Sequence, residues 1–123
     1  MKGDVLVSVI DDDESVRESI PALLRAFGFD ARAFDSAEAF LGSDVADATQ
    51  CVVLDVAMPG MSGPELFERL KQRPQTIPVI FVTAQSNGEL CQRLLALGAV
   101  ACLYKPFDPM ALIDALKHAL PQN

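Results

Sequence analysis

The chain has 123 residues, half of them hydrophobic and 22% charged, with a net charge of −7. That length makes one domain of ordinary size, expected to bury about 68% of its unfolded surface, and the composition excludes a disordered chain. The acidic balance argues against a sequence-independent grip on DNA or an anionic membrane, and no apolar stretch approaches bilayer length.

The elements follow in strict alternation. Val5 to Ile10 reads as a first buried strand and runs into Asp11-Asp12-Asp13. Val16, Ile20, Leu23, Leu24 and Phe27 then recur at helical spacing, and Gly28 is placed to end that helix. Phe29 to Phe34 alternates only partly, as suits a strand at a sheet edge, and Asp35-Ser36-Ala37-Glu38 has the spacing of a capping box before a short helix through Phe40-Leu41. Cys51 to Leu54 is a third strand ending on Asp55, and Pro64 sits where a first helical turn tolerates proline, ahead of Leu66, Phe67 and Leu70. Val79 to Val82 is a fourth strand ending on Thr83, followed by a helix marked by Leu90, Leu94 and Leu97 and closed by Gly98. Ala99 to Tyr104 is a fifth strand ending on Lys105-Pro106, and Asp108-Pro109 opens a last helix with Leu112, Ile113, Leu116 and Leu120 facing inward. Continuous apolar runs are the mark of buried parallel strands. Right-handed crossovers then leave an α/β fold: a flavodoxin-like, doubly wound (βα)5 three-layer sandwich, its five-stranded parallel sheet in the order 2-1-3-4-5. Residues 1–123 form a single domain, with no linker or internal repeat. Met1-Lys2-Gly3-Asp4 leads straight into a strand without the order of a signal peptide, and the chain stops soon after the last helix at Leu120-Pro121-Gln122-Asn123.

Open α/β sheets bind ligands outside the carboxyl ends of their strands. In that order the first and third strands are neighbours, so Asp11, Asp12 and Asp55 share a pocket. Two carboxylates ~4 Å apart repel by about 1 kcal/mol in water and about 4 at an effective dielectric near 20. A cation relieves that cost, and oxygen-only ligands at an open site select Mg²⁺. With the charge neutralised, one carboxylate can attack a phosphoryl group to give an acyl phosphate. Thr83 can donate to a transferred oxygen and Lys105 can neutralise its charge, so the chemistry is mostly positioning and electrostatics. Singly, each residue has a plainer reading: the acidic run as a solvated helix start that complements the macrodipole, Thr83 as a turn residue, Lys105 as a surface lysine. Together at the ends of four apolar runs they are poorly explained by coincidence.

The segments Val9-Ile10-Asp11-Asp12-Asp13, Leu54-Asp55-Val56-Ala57-Met58-Pro59-Gly60-Met61-Ser62-Gly63, Val82-Thr83-Ala84 and Tyr104-Lys105-Pro106-Phe107 resemble, in this order and spacing, the receiver domains of two-component response regulators. The match covers essentially the whole chain and looks nearest to receivers of nitrogen-fixation-type transcription regulators. The resemblance implies that Asp55 is the phosphoacceptor of a sensor histidine kinase or phosphotransfer protein. It implies that Asp11, Asp12, Asp55 and the carbonyl of Ala57 hold Mg²⁺, with Asp12 the direct ligand and Asp11 acting through water. Thr83 and Lys105 would act on the phosphoryl group, and Lys105-Pro106 would be cis, which only about 5% of X-Pro bonds are. It further implies partners on the face formed by the fourth helix, fifth strand and fifth helix, an output domain or downstream protein there, a phosphorylation-dependent homodimer, and no enzymatic turnover, direct nucleic-acid contact or membrane.

Some positions depart from the family pattern. Cys102 stands where receivers carry a switch Tyr or Phe, which leaves that switch absent or partly taken over by Tyr104. Ser62 replaces a common acidic residue, and Ala57 and Gln85 flank the site with little chemistry of their own. Three cysteines, Cys51, Cys91 and Cys102, are an odd count without CxxC spacing; disulfides and zinc are disfavoured, and small core thiols in the cytoplasm are expected. His118 reads as a surface or helix-end residue. Two other readings compete. A haloacid-dehalogenase-type phosphohydrolase would use Asp11-x-Asp13, but Asp108 and Asp114 are poor candidates for its further acids, and 123 residues leave no room for a cap. A pseudo-receiver would keep the fold as an interaction module without phosphorylation.

Overall fold

The computed structural model describes residues 5–120, without the side chain of Gln85. Met1–Asp4, Pro121, Gln122 and Asn123, where the sequence reading placed the entry and exit of the chain, lie outside the described residues. The strands are β1 (Leu6–Ile10), β2 (Asp30–Phe34), β3 (Cys51–Asp55), β4 (Val79–Thr83) and β5 (Ala101–Tyr104). They alternate with the helices α1 (Glu14–Ala26), α2 (Ala37–Leu41), α3 (Gly63–Lys71), α4 (Gly88–Ala96) and α5 (Pro109–Ala119). Every strand pairing is parallel, in the order β2-β1-β3-β4-β5. This is the predicted architecture, and its cause is visible in the burial: every residue of β1, β3 and β4 is buried.

The sheet separates two apolar cores. On one side α2, α3 and α4 cover Ile10, Val52, Leu54, Val79 and Phe81, using Phe40, Leu66, Phe67, Leu70 and Leu94. On the other, α1 and α5 cover Val7, Val9, Ala31, Cys51, Val53, Ile80 and Val82, using Ile20, Leu24, Leu112, Ile113 and Leu116. The edge strand β2 has one buried residue, as its partial alternation predicted. The opposite edge, β5, is shorter than expected and only half-buried along Ala101–Leu103.

Four expectations need correction. Phe27 and Leu97 continue the helical pattern in sequence yet are 45% and 51% exposed. Each sits one residue past the helix, at the C-cap, where the chain turns through Gly28 or Gly98 at positive φ and leaves the helical spiral. Leu120, likewise past α5, is half-buried and still packs inward against the α1/α5 core, as expected. No capping box forms around Asp35 and Glu38: Ser36 is the N-cap of α2, accepting from the Ala39 amide, and Glu38 instead reaches across to accept from the Met61 amide at 2.9 Å. The reciprocal box lies at α3, between Ser62 and Glu65. Finally, Cys91 and Cys102 form a disulfide, against the expectation of separate thiols. The two are a helix and a turn apart in sequence, and only the packing of α4 on β5 brings their Cα atoms to 5.9 Å. Cys51 alone follows the prediction, buried and unpaired.

Candidate functional site

The carboxyl ends of β1, β3, β4 and β5 lie side by side because parallel strands in this register all point one way. Asp11 follows β1 and is completely buried; Asp55 ends β3 at 7% exposure; Asp12 is exposed. One carboxylate oxygen from each of the three lies within 4.8 Å of the others. Lys105, after β5, bridges the two buried acids, with Nζ 2.9 Å from Asp11 Oδ2 and 3.7 Å from Asp55 Oδ2. Lys105-Pro106 is cis. The acidic run divides its labour: Asp11 and Asp12 face the cluster, whereas Asp13 caps α1 by accepting from the amide and hydroxyl of Ser15. The run therefore splits: Asp11 and Asp12 lie with Asp55, and Asp13 belongs to the start of α1.

The electrostatics follow from burial and neighbours. Burial, then the charge of Asp11, pushes the Asp55 carboxyl up to about 6, even though Lys105 and the amide of Val56, 2.8 Å from Oδ1, work the other way. Burial works against the charge on Lys105, but the hydrogen bond and charge of Asp11 outweigh it and raise its pKa. The donor set is all oxygen and carries an excess of negative charge over its one lysine. That is what a hard divalent cation such as Mg²⁺ requires. Ala57, exposed in the loop two residues after Asp55, is not among the carboxylate donors that define the cluster.

Thr83 ends β4, buried, and its hydroxyl accepts from the side-chain amide of Asn87, the N-cap residue of α4, at 2.9 Å. The lysine backbone is fixed on the same residue, its amide donating to the Thr83 carbonyl at 2.7 Å. Tyr104 pairs with Thr83 across the sheet and is partly exposed, its hydroxyl 3.7 Å from where a side chain on Gly88 would begin. Cys102 lies two residues earlier on the same face of β5, against the α2/α3/α4 core, and is bonded to Cys91. The side chain of Gln85 lies outside the described residues.

Three contributors escaped the sequence reading. Arg17 Nη1 donates to the Asp11 carbonyl at 3.1 Å and holds the turn after β1. Asn87 carried no motif of its own. Gly63 begins α3 against the end of β3, its amide 2.9 Å from the Val56 carbonyl, and a Cβ there would collide with the Asp55 backbone carbonyl. Gly60 is similar: its φ is 77°, and a side chain would begin 2.7 Å from Glu38 Oε2. Both glycines stand in the quoted Leu54–Gly63 segment, but the close approach behind each was not legible there.

Residues 7–117 match the family model of the response regulator receiver domain. The chain belongs to the response-regulator receiver family. It is a phosphoacceptor module of two-component signalling, and receivers of this kind bind Mg²⁺ and are not enzymes in general. The receiver is 42% identical over 117 residues to the transcriptional regulatory protein FixJ of Azorhizobium caulinodans, covering 95% of this chain and 56% of that protein. It is 38% identical to the transcriptional regulatory protein TdiR of Thauera aromatica, covering 95% and 52%. It thus spans about half the length of the curated relatives it matches. Among solved structures, the isolated FixJ-N domain superposes with a TM-score of 0.84 at 34% identity, each chain fully covered. The response regulator StyR gives 0.86 at 42%, over 96% of this receiver and 60% of that chain. Nothing in these likenesses favours a phosphohydrolase, and the site agrees, since Asp13 and Asp108 are both engaged as helix N-caps. No helix among the described residues is long and apolar enough to cross a membrane.

Proposed function

We propose that Asp55 is the phosphoacceptor and that residues 1–123 act as one receiver unit in the cytoplasm, charged by a sensor histidine kinase or phosphotransfer protein. The observation that carries this is the placement of Asp55: a nearly buried carboxylate at a strand end, sharing one lysine with Asp11 inside a cluster of three acids. A carboxyl titrating near 6 is mostly ionised at neutral pH. Its oxygen attacks the phosphorus of a phosphohistidine, the P–N bond breaks, and the imidazole leaves with a proton. Asp11, Asp12, Asp55 and the carbonyl of Ala57 would hold Mg²⁺. When bound, the ion supplies positive charge to the acids and to the phosphoryl oxygens. Lys105 is already within reach of Asp55 and pairs with the new charge; Thr83 exchanges Asn87 for a phosphoryl oxygen.

Release of Asn87 from Thr83 is felt at the start of α4, so the α4–β5–α5 face is the output surface. It contacts an output domain or downstream protein, or a second copy of the phosphorylated chain, and touches neither nucleic acid nor membrane itself. The receiver turns over no external substrate.

Intact mass after incubation with acetyl phosphate and Mg²⁺ tests the reading. One phosphoryl group should be gained, none without Mg²⁺, and none in Asp55→Asn. Failure to gain it, together with no response to a beryllofluoride mimic, would leave a pseudo-receiver.

A further inference from the structure

The α4–β5 disulfide has no part in the phosphoacceptor chemistry, yet it joins two of the elements that form the proposed output face. α4 is lightly held: its buried residues are Cys91 and Leu94 alone, it begins at Gly88, and Gly98 follows its C-cap. Its ties to the sheet include Asn87 to Thr83 at the N-cap and Cys91 to Cys102 one turn later, and Lys71 Nζ of α3 holds the Leu97 carbonyl at its far end. Cys91 is four positions after Asn87, so both ties leave the same side of the helix. The partner of Cys91 is on β5, the edge strand, where Cys102 is only half-buried. Cys51 is the internal contrast. It sits on the central strand β3, completely buried and unpaired, and burial pushes its thiol up to about 12.

We propose that Cys91 and Cys102 are a reversible thiol–disulfide modification site, whose oxidised form fastens α4 to the edge of the sheet and whose reduced form frees it. The co-reactant is a low-molecular-weight disulfide such as oxidised glutathione. The Cys102 thiolate attacks one of its sulfurs and expels a thiolate, which takes up a proton. The Cys91 thiolate then attacks the Cys102 sulfur of the mixed disulfide and expels the second. Two protein thiols are oxidised to one disulfide as one small disulfide is reduced to two thiols, and excess thiol reverses both steps. In a reducing compartment a protein disulfide is characteristically transient and redox-sensing rather than structural. Reduction leaves two small, weakly polar side chains where the bond was, so the α2/α3/α4 core stays filled. This goes beyond the phosphoacceptor reading and does not depend on it, because the bond can form and break whether or not Asp55 carries a phosphoryl group.

The test uses the whole chain equilibrated over a range of reduced to oxidised glutathione, then alkylated in denaturant, with amide exchange of residues 88–97 followed in parallel. At the oxidising end, one of the three thiols should remain alkylatable, with a Cys91–Cys102 peptide recovered on digestion. Exchange through α4 should slow by about tenfold relative to the reduced chain, and dithiothreitol should restore three thiols and fast exchange. Cys91→Ser and Cys102→Ser should each abolish the redox dependence of exchange, whereas Cys51→Ser should preserve it. Three free thiols throughout would overturn the proposal. So would a glutathione adduct that never closes, a bridge through Cys51, or a bridge that leaves α4 exchange unchanged. The wild-type peptide map decides the pairing even where a serine variant folds poorly. Phosphoryl gain from acetyl phosphate, measured separately on the reduced chain, reports on the phosphoacceptor reading alone.

Discussion

Asp55 is a carboxylate whose surroundings disfavour its charge, and that has a measurable cost. Its folded pKa of about 6 lies above the ordinary value near 3.8. Below about pH 4 the group is protonated whether the chain is folded or not, and no penalty exists. Between about pH 4 and pH 6 the unfolded chain ionises while the folded one keeps its proton, so stability falls, and above 6 the penalty levels off at about 3 kcal/mol. Asp55→Asn removes it. In Mg²⁺-free urea denaturation, the variant should therefore gain on the wild type by about 2–3 kcal/mol between pH 4 and pH 7; a difference independent of pH would mean that the environment of Asp55 is not as described. Asp11, Asp55, Thr83 and Lys105 could be found from sequence because each follows directly on an apolar run, and Asp12 comes next after Asp11; strand direction does the rest. Asn87 and Arg17 could not, since their partners are reached through turns whose geometry no spacing encodes.

Among the elements, α3 shows how closely the helices are set against the sheet. Ser62 caps it and Gly63 lets its first turn sit against the end of β3. Ser62→Ala should lose only the cap, about 1 kcal/mol. Gly63→Ala should cost at least about 2 kcal/mol by forcing backbone apart, and should slow phosphoryl gain because the displaced backbone is that of Asp55. Thermal denaturation and the acetyl phosphate rate separate the two; equal effects would show that α3 has room to shift. Element type and order were legible throughout, because burial between two helical layers writes continuous apolar strands and amphipathic helices into the chain. Helix ends were less so: Phe27 and Leu97 obey the periodicity of a helix that has already stopped. The Cys91–Cys102 bond was invisible to cysteine counting, which weighs number and spacing but not which helix lies on which strand.

For the whole molecule, the proposed Mg²⁺ site predicts that stability should depend on divalent cation. A ligand that binds only the folded state at 100 times its dissociation constant adds about 2.7 kcal/mol. Saturating Mg²⁺ should raise the urea midpoint accordingly, chelation should reverse it, and Asp12→Ala should blunt it; a midpoint indifferent to Mg²⁺ would argue that the three acids do not act as one site.

The sheet that lines up these acids also divides the apolar interior in two, and the two halves share no buried residue. Losses on opposite sides should therefore be independent. Ile20→Val, on the α1/α5 side, and Ile77→Val, on the α2/α3/α4 side, should each cost about 1 kcal/mol. The double variant should equal their sum within about 0.5 kcal/mol. Ile20→Val with Ile113→Val, which share one core, carries no such guarantee of additivity. The domain then has two separate reserves of stability behind one reactive edge, and damage to either can be repaired without disturbing the other.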